Sequence, residues 1–285
     1  MRFPEAVARV RRYMRHLAPD RGWIDGSCDY VRFIILARSR TGSNLLRSLL
    51  NAHSKVEAYG EIFRSRDSMD WDHIGYLGSS GSQRLLLDDP IRFVRSQVFR
   101  RYPAGTGAVG FKIFYYHAHD SGWKPIWDFL RGQSDLHIIH VTRENILETH
   151  LSRKRAELTD RWVNTSGEKQ EAPAVTLDYN ECLQDFQRTR AQEREYEAFF
   201  ATQPRLRVTY EDLARDHTTE MMRVFEFLGL PWEPVQPSTY RQSHRSLKES
   251  ITNFAELKQK FAGSPWEPFF ADDIIEAGSD RDKEA

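Results

Sequence analysis

The sequence predicts an α/β fold of three layers, a central parallel sheet flanked by helices. Three observations carry that expectation: short apolar runs recur along the chain, each is followed by a segment with helical spacing, and turn and capping residues sit at the joints. The first run, YVRFIILA at 30–37, is apolar almost throughout, as a strand covered on both faces requires. NLLRSLLNAH at 44–53 has helical spacing, and PIRFVRSQVFRRY at 90–102 begins with proline where a helix starts. AVGFKIFYY at 108–116 and LHIIHVT at 136–142 read as the second and third strands, the latter followed by a helix over 144–158. Residues 159–177 are polar and irregular. A long amphipathic helix is expected over 178–200, with Asp178 as its cap. LRVTY at 206–210 is a short strand, and the helix after it stops at Gly229 and Pro231.

The chain has 285 residues, about two domains at 150 residues each, although α/β folds of this size are often one unit. No repeat or low-complexity linker divides it. We expect one domain over 30–270, a basic helical extension over 1–29 and an acidic flexible tail over 271–285. Lys and Arg number 41, as do Asp and Glu, so the formal charge is zero, which argues against a nucleic-acid partner. The ends make part of that balance: residues 1–21 carry six Arg against two acids, and residues 265–285 carry seven acids against Arg281 and Lys283. Cys28 and Cys182 are too few for a disulfide framework or a four-ligand zinc site, and point to a reducing compartment. The basic N-terminal stretch lacks the apolar core of a signal peptide, and no run approaches 18 apolar residues, so no transmembrane segment and a cytoplasmic location are expected. Contact of that stretch with an anionic lipid surface stays open.

The strongest chemical signal is ARSRTGS between the first strand and its helix. Such a loop aims free backbone N–H groups at an anion. Gly42 permits close approach, Thr41, Ser43 and Asn44 add side-chain donors, and Arg40 adds a permanent cation. The cradle is P-loop-like, yet the first Gly and the Gly-Lys pair of G-x-x-x-x-G-K-[ST] are missing, which argues against a kinase or NTPase.

RSRTGSNLLRSLLNAHSKV resembles the 5′-phosphosulfate loop and helix of the sulfotransferases that use 3′-phosphoadenosine 5′-phosphosulfate (PAPS), most closely their bacterial carbohydrate and nodulation-factor branch. Ser39 and Ser54 stand where many members have proline. The likeness extends over about 30–262 and implies a metal-independent enzyme that sulfates a hydroxyl-bearing small molecule or glycan, expected to be a carbohydrate or glycolipid-like acceptor, with a phenol, peptidyl tyrosine or secondary-metabolite hydroxyl as the alternative. It implies that Arg143 and, nine residues on, Ser152 hold the 3′-phosphate. It places Glu61, 21 residues after Arg40, at the position of the general base. Lys112, in GFK, falls near the transferred group. Cytosolic members with phenolic acceptors use a His two residues after this Lys; His117, five residues after it, is the alternative base. His117, His119 and Asp120 have metal-ligand chemistry, but no further cluster accompanies them. RLRVTYEDL and FLGLP match a further family segment that reads as structural. In relatives the region of Arg241, His244, Arg245 and Lys248 closes over the nucleotide. The irregular stretches 64–88 and 159–177, with Trp71, Tyr76 and Trp162, are the expected acceptor walls.

Overall fold

The computed structural model describes residues 14–15, 17–64, 80–120, 122–160, 162, 173–238 and 245–271. Trp71, Tyr76, Arg241, His244, residues 1–13 and 16 of the basic extension and nearly all of the acidic tail lie outside them. The strands are β1 (Gly26–Ser27), β2 (Val31–Ala37), β3 (Val56–Glu61), β4 (Tyr102–Pro103), β5 (Ala108–Phe114), β6 (His137–Thr142) and β7 (Arg205–Thr209). Five of them form one parallel sheet in the order β3-β5-β2-β6-β7. The remaining pair, β1 and β4, is a small antiparallel ribbon.

Side chains of β2 alternate between two cores, which is why its sequence is apolar almost throughout. Ile34 and Leu36 pack with Phe111, Trp123 and Phe200 on one face. Phe33, Ile35 and Ala37 pack on the other with Leu46, Leu49 and Leu50 of helix α1 (Ser43–Ala52). Helices on both faces make the three layers. A third core joins α5 (Ile146–Thr159), α6 (Tyr179–Phe199) and the C-terminal helices.

The expected elements form close to their expected bounds, and local chemistry sets their ends. The Asp178 side chain accepts from the Glu181 N–H at 2.9 Å and starts α6. The Asn145 side chain accepts from the Leu147 and Glu148 N–H groups, so α5 begins at Ile146. Helix α8 (His217–Phe227) is followed by Gly229 at φ 66°.

Several segments differ from expectation. The single helix expected over 90–102 is instead a short α3 (Pro90–Phe93) that passes into a π-turn over Val94–Val98. Residues Ser80–Asp88, expected to be irregular, form helix α2. The helix after β7 is split at Asp216 into α7 (Tyr210–Arg215) and α8, because Asp216 caps the second piece. Strand β3 has no counterpart in the sequence reading. Helix α4 (Pro125–Arg131) and the C-terminal α9 (Leu247–Ser250) and α10 (Phe254–Phe261) likewise have none.

Candidate active site

The winding of the sheet reverses at β2, which lies between β5 and β6. In open α/β sheets ligands bind outside the carboxyl ends of the strands at such a point. The loop 38–42 leaves β2 there. Gly42 caps α1 at φ 87°, a left-handed conformation that favours glycine, and a Cβ at this position would lie 2.6 Å from the Tyr210 ring. The turn is therefore closed by Tyr210, a residue absent from the sequence expectations. Arg40 also takes a positive φ of 70°. The Thr41 hydroxyl donates to the Arg38 carbonyl at 2.8 Å, bracing the loop from inside.

Arg40, Arg143 and Ser152 come together. Arg40 Nε donates to Ser152 Oγ at 2.8 Å, another of its nitrogens donates to the Trp162 carbonyl, and Arg143 reaches the Arg40 carbonyl at 3.5 Å. The nine-residue gap between Arg143 and Ser152 is thus bridged by Arg40. Arg143 is also bonded to Glu148, lies 3.8 Å from Glu211, and covers the Tyr210 ring at 4.2 Å. Glu211 in turn accepts from the N–H groups of Glu144 and Asn145 at 3.1 and 3.4 Å, fixing the turn after β6. Burial and then the nearby Arg143 charge pull the Arg40 guanidinium down to about 10. Two cations held this close repel each other, and an anion between them relieves the repulsion.

Glu61, Lys112, His117 and Asn44 form a second group. Lys112, 1% exposed, lies 2.9 Å from the Glu61 carboxylate and donates to Asn44 Oδ1 on the first turn of α1. Its ammonium also sits 5.2 Å above the Phe114 ring. His117 Nε2 is 3.8 Å from the other Glu61 oxygen. A register shift between Tyr59 and Glu61 makes this possible: Tyr59 pairs with Phe111, Gly60 is the extra residue, and Glu61 pairs with Lys112. Without the bulge Glu61 would turn to the opposite face. Tyr59 and Phe63 pack in the core on that opposite face. Burial acts to raise the Glu61 carboxyl, but Lys112, its hydrogen bond, His117 and Arg64 outweigh burial and hold it below the usual range. Burial pulls His117 down to about 4, against the opposing pull of Glu61.

A third group escaped the sequence reading. The Asp185 carboxylate on α6 takes Arg38 from the loop and His150 and Arg153 from α5, with contacts of 3.1 Å to His150 and 2.6 Å to Arg153. Arg38 also bonds Thr189. Asp185 reads in sequence as an ordinary polar position of an amphipathic helix. The one legible signal was Arg38, inside the anion loop itself. Among the described residues no three or more His, Cys, Asp and Glu are grouped to hold a metal ion. His119 turns from His117 toward the Tyr115 carbonyl at 2.6 Å.

The Sulfotransferase family model matches residues 134–234. Nodulation protein H of Rhizobium tropici is 32% identical over 244 residues, covering 84% of this chain and 92% of that protein. Nodulation protein H of Rhizobium meliloti strain 1021 is 31% identical over 246 residues, covering 84% and 94%. The chain belongs to the sulfotransferase family. Among solved structures, a sulfotransferase from Alicyclobacillus acidocaldarius aligns at 15% identity and a TM-score of 0.46, over 85% of this chain and 96% of that one. The sulfotransferase domain of the Curacin biosynthetic pathway aligns at 17% identity and 0.42, over 80% and 86%. The loop and first helical residues at 38–44 and Glu61 precede the stretch matched by the family model, whereas Arg143 and Ser152 of this sulfotransferase lie inside it. Arg245 and Lys248 are exposed at the start of α9. No helix among the described residues is long and apolar enough to cross a membrane.

Proposed function

We propose that this sulfotransferase moves a sulfuryl group from PAPS to a hydroxyl of a carbohydrate or glycolipid-like acceptor, with Glu61 as general base. The contact of Lys112 with Glu61, 2.9 Å apart beside the first turn of α1, carries the reading. It sets a cation for developing oxygen charge next to a carboxylate for a proton.

The residues fit the donor. Gly42 leaves its turn without a side chain, and the first N–H groups of α1 have no partner within the helix. Arg40, Thr41, Gly42, Ser43 and Asn44 are assigned to the 5′-phosphosulfate. Arg143 and Ser152, joined through Arg40, are assigned to the 3′-phosphate.

In the reaction Lys112 turns from Glu61 and Asn44 to the sulfuryl oxygens. Its charge then no longer offsets burial, and the Glu61 carboxyl becomes a stronger base. Glu61 takes the acceptor proton as the hydroxyl oxygen bonds to sulfur. The bond from sulfur to the 5′-phosphate oxygen breaks, and its electron pair stays on that oxygen, where Arg40 and the loop N–H groups meet the charge. His117 is poorly set as the base. The Phe114 N–H donates to its Nδ1 at 3.2 Å, so the neutral ring carries its proton on Nε2, the nitrogen facing Glu61.

Glu61→Gln is expected to lower sulfuryl transfer from labelled PAPS by roughly 10²–10⁴-fold while calorimetry shows little change in affinity for 3′-phosphoadenosine 5′-phosphate. Transfer at the wild-type rate removes Glu61 from the role. Arg40→Ala is expected to weaken both nucleotide binding and transfer. Phosphoryl transfer from ATP and magnesium, with none from PAPS, would favour a kinase.

A further inference from the structure

We infer that Tyr116 is the platform on which the acceptor's sugar ring stacks while its hydroxyl meets Glu61. This rests on the function proposed above. Tyr116 lies just beyond β5, between Tyr115 and His117, which are 1% and 3% exposed. Tyr116 itself is 46% exposed. A large aromatic side chain left open between two buried neighbours has a face available for a ligand.

The ring is held in place. It packs on Phe114 at 5.6 Å and edge-on against His117 at 5.1 Å, and its phenol lies near the Ser39 side chain. Glu61, Arg38 and Arg153 are near enough to act on that phenol electrostatically. Phe114 lies under the Lys112 ammonium, and His117 faces Glu61. Tyr116 is therefore the exposed end of a packed series that begins at the reacting groups.

The exposures of the two reacting groups set the side of approach. The Glu61 side chain is 19% exposed and Lys112 1%, so the carboxylate is reached from outside with the cation behind it. Tyr116 borders that side. A sugar ring has an apolar C–H face and a rim of hydroxyls. Its face suits the Tyr116 ring, and its rim suits Glu61 and Ser39. Because Phe114 and His117 already fix Tyr116, little side-chain freedom is lost on binding.

The test measures KM for a neutral tetrasaccharide (cellotetraose or tetra-N-acetylchitotetraose) at saturating PAPS, alongside affinity for 3′-phosphoadenosine 5′-phosphate. Tyr116→Ala is expected to raise the acceptor KM on the order of tenfold with nucleotide affinity unchanged, and Tyr116→Phe, which keeps the ring, to stay near wild type. An unchanged acceptor KM in Tyr116→Ala overturns the platform and leaves the proposed function standing. An equal loss of nucleotide affinity also overturns it, because Tyr116 would then act through Ser39 on the donor loop. Wild-type transfer to p-nitrophenol but to neither sugar overturns the platform together with the carbohydrate acceptor, while sulfuryl transfer survives. Should Tyr116→Ala fail to fold, Tyr116→Leu supplies the same comparison.

Discussion

At the residue scale, burial decides what each titratable group can do. His117 is pulled down to about 4 and His140 to about 3, in both cases first by burial. Both imidazoles titrate near 6.5 in an unfolded chain. Between these values the unfolded chain binds more protons than the native one. The stability contributed by the neutral rings is therefore complete above about pH 6.5 and is lost as the pH falls toward 4. Urea denaturation is expected to give a lower unfolding free energy at pH 4.5 than at pH 7. His117→Asn should show a smaller fall, since one of the two buried imidazoles is gone; an undiminished fall would sink this account of His117. The sequence made Arg40, Gly42, Lys112 and Arg143 legible because each stands in a short local pattern with its own chemistry. Tyr210 and Asp185 were not legible. Their importance comes from what lies across from them: the missing Cβ of Gly42 and the cations of Arg38 and Arg153.

At the element scale, the informative case is β3. VEAYGE lacks the continuous apolar run of β2, and its Glu57 is buried at 3% exposure with Arg15 3.8 Å away, so composition hides the strand. The strand matters because its bulge at Gly60 returns Glu61 to the face of Lys112 and α1. Deleting Gly60 removes the extra residue and leaves Glu61 opposite Lys112 in a regular ladder, on the same face. Sulfuryl transfer is expected to survive the deletion, with affinity for 3′-phosphoadenosine 5′-phosphate retained in calorimetry. A deletion variant that folds and binds the nucleotide but no longer transfers sulfate would show that facing Lys112 is not enough to position Glu61. By contrast β2, α1 and α6 were readable, since an apolar run, a helical stripe and a capping Asp178 are properties of neighbouring residues.

At the scale of the whole molecule, the formal charge of zero coexists with a gathering of cations at one sheet edge. Arg40, Lys112 and Arg143 enter that edge from three different strand ends, and the strand order brings β5, β2 and β6 side by side. Asp185 ties the same edge to α5 and α6, joining groups 147 residues apart in the case of Arg38. Removing it leaves buried Arg38 and Arg153 without their carboxylate. Asp185→Ala is expected to cost about 3–5 kcal/mol of unfolding free energy in urea titration, and a loss below about 1 kcal/mol would contradict a network of this kind. Local pattern alone was enough for the α/β class, the glycine turn between β2 and α1 and many element bounds, because periodicity, caps and glycine turns are set by residues within a few positions of one another. The pairing of Glu61 with Lys112, the closure of Gly42 by Tyr210 and the neutralisation of Arg38 by Asp185 were decided only in the folded chain. Each depends on register and packing between segments far apart in sequence, where no local spacing records which side chains will meet.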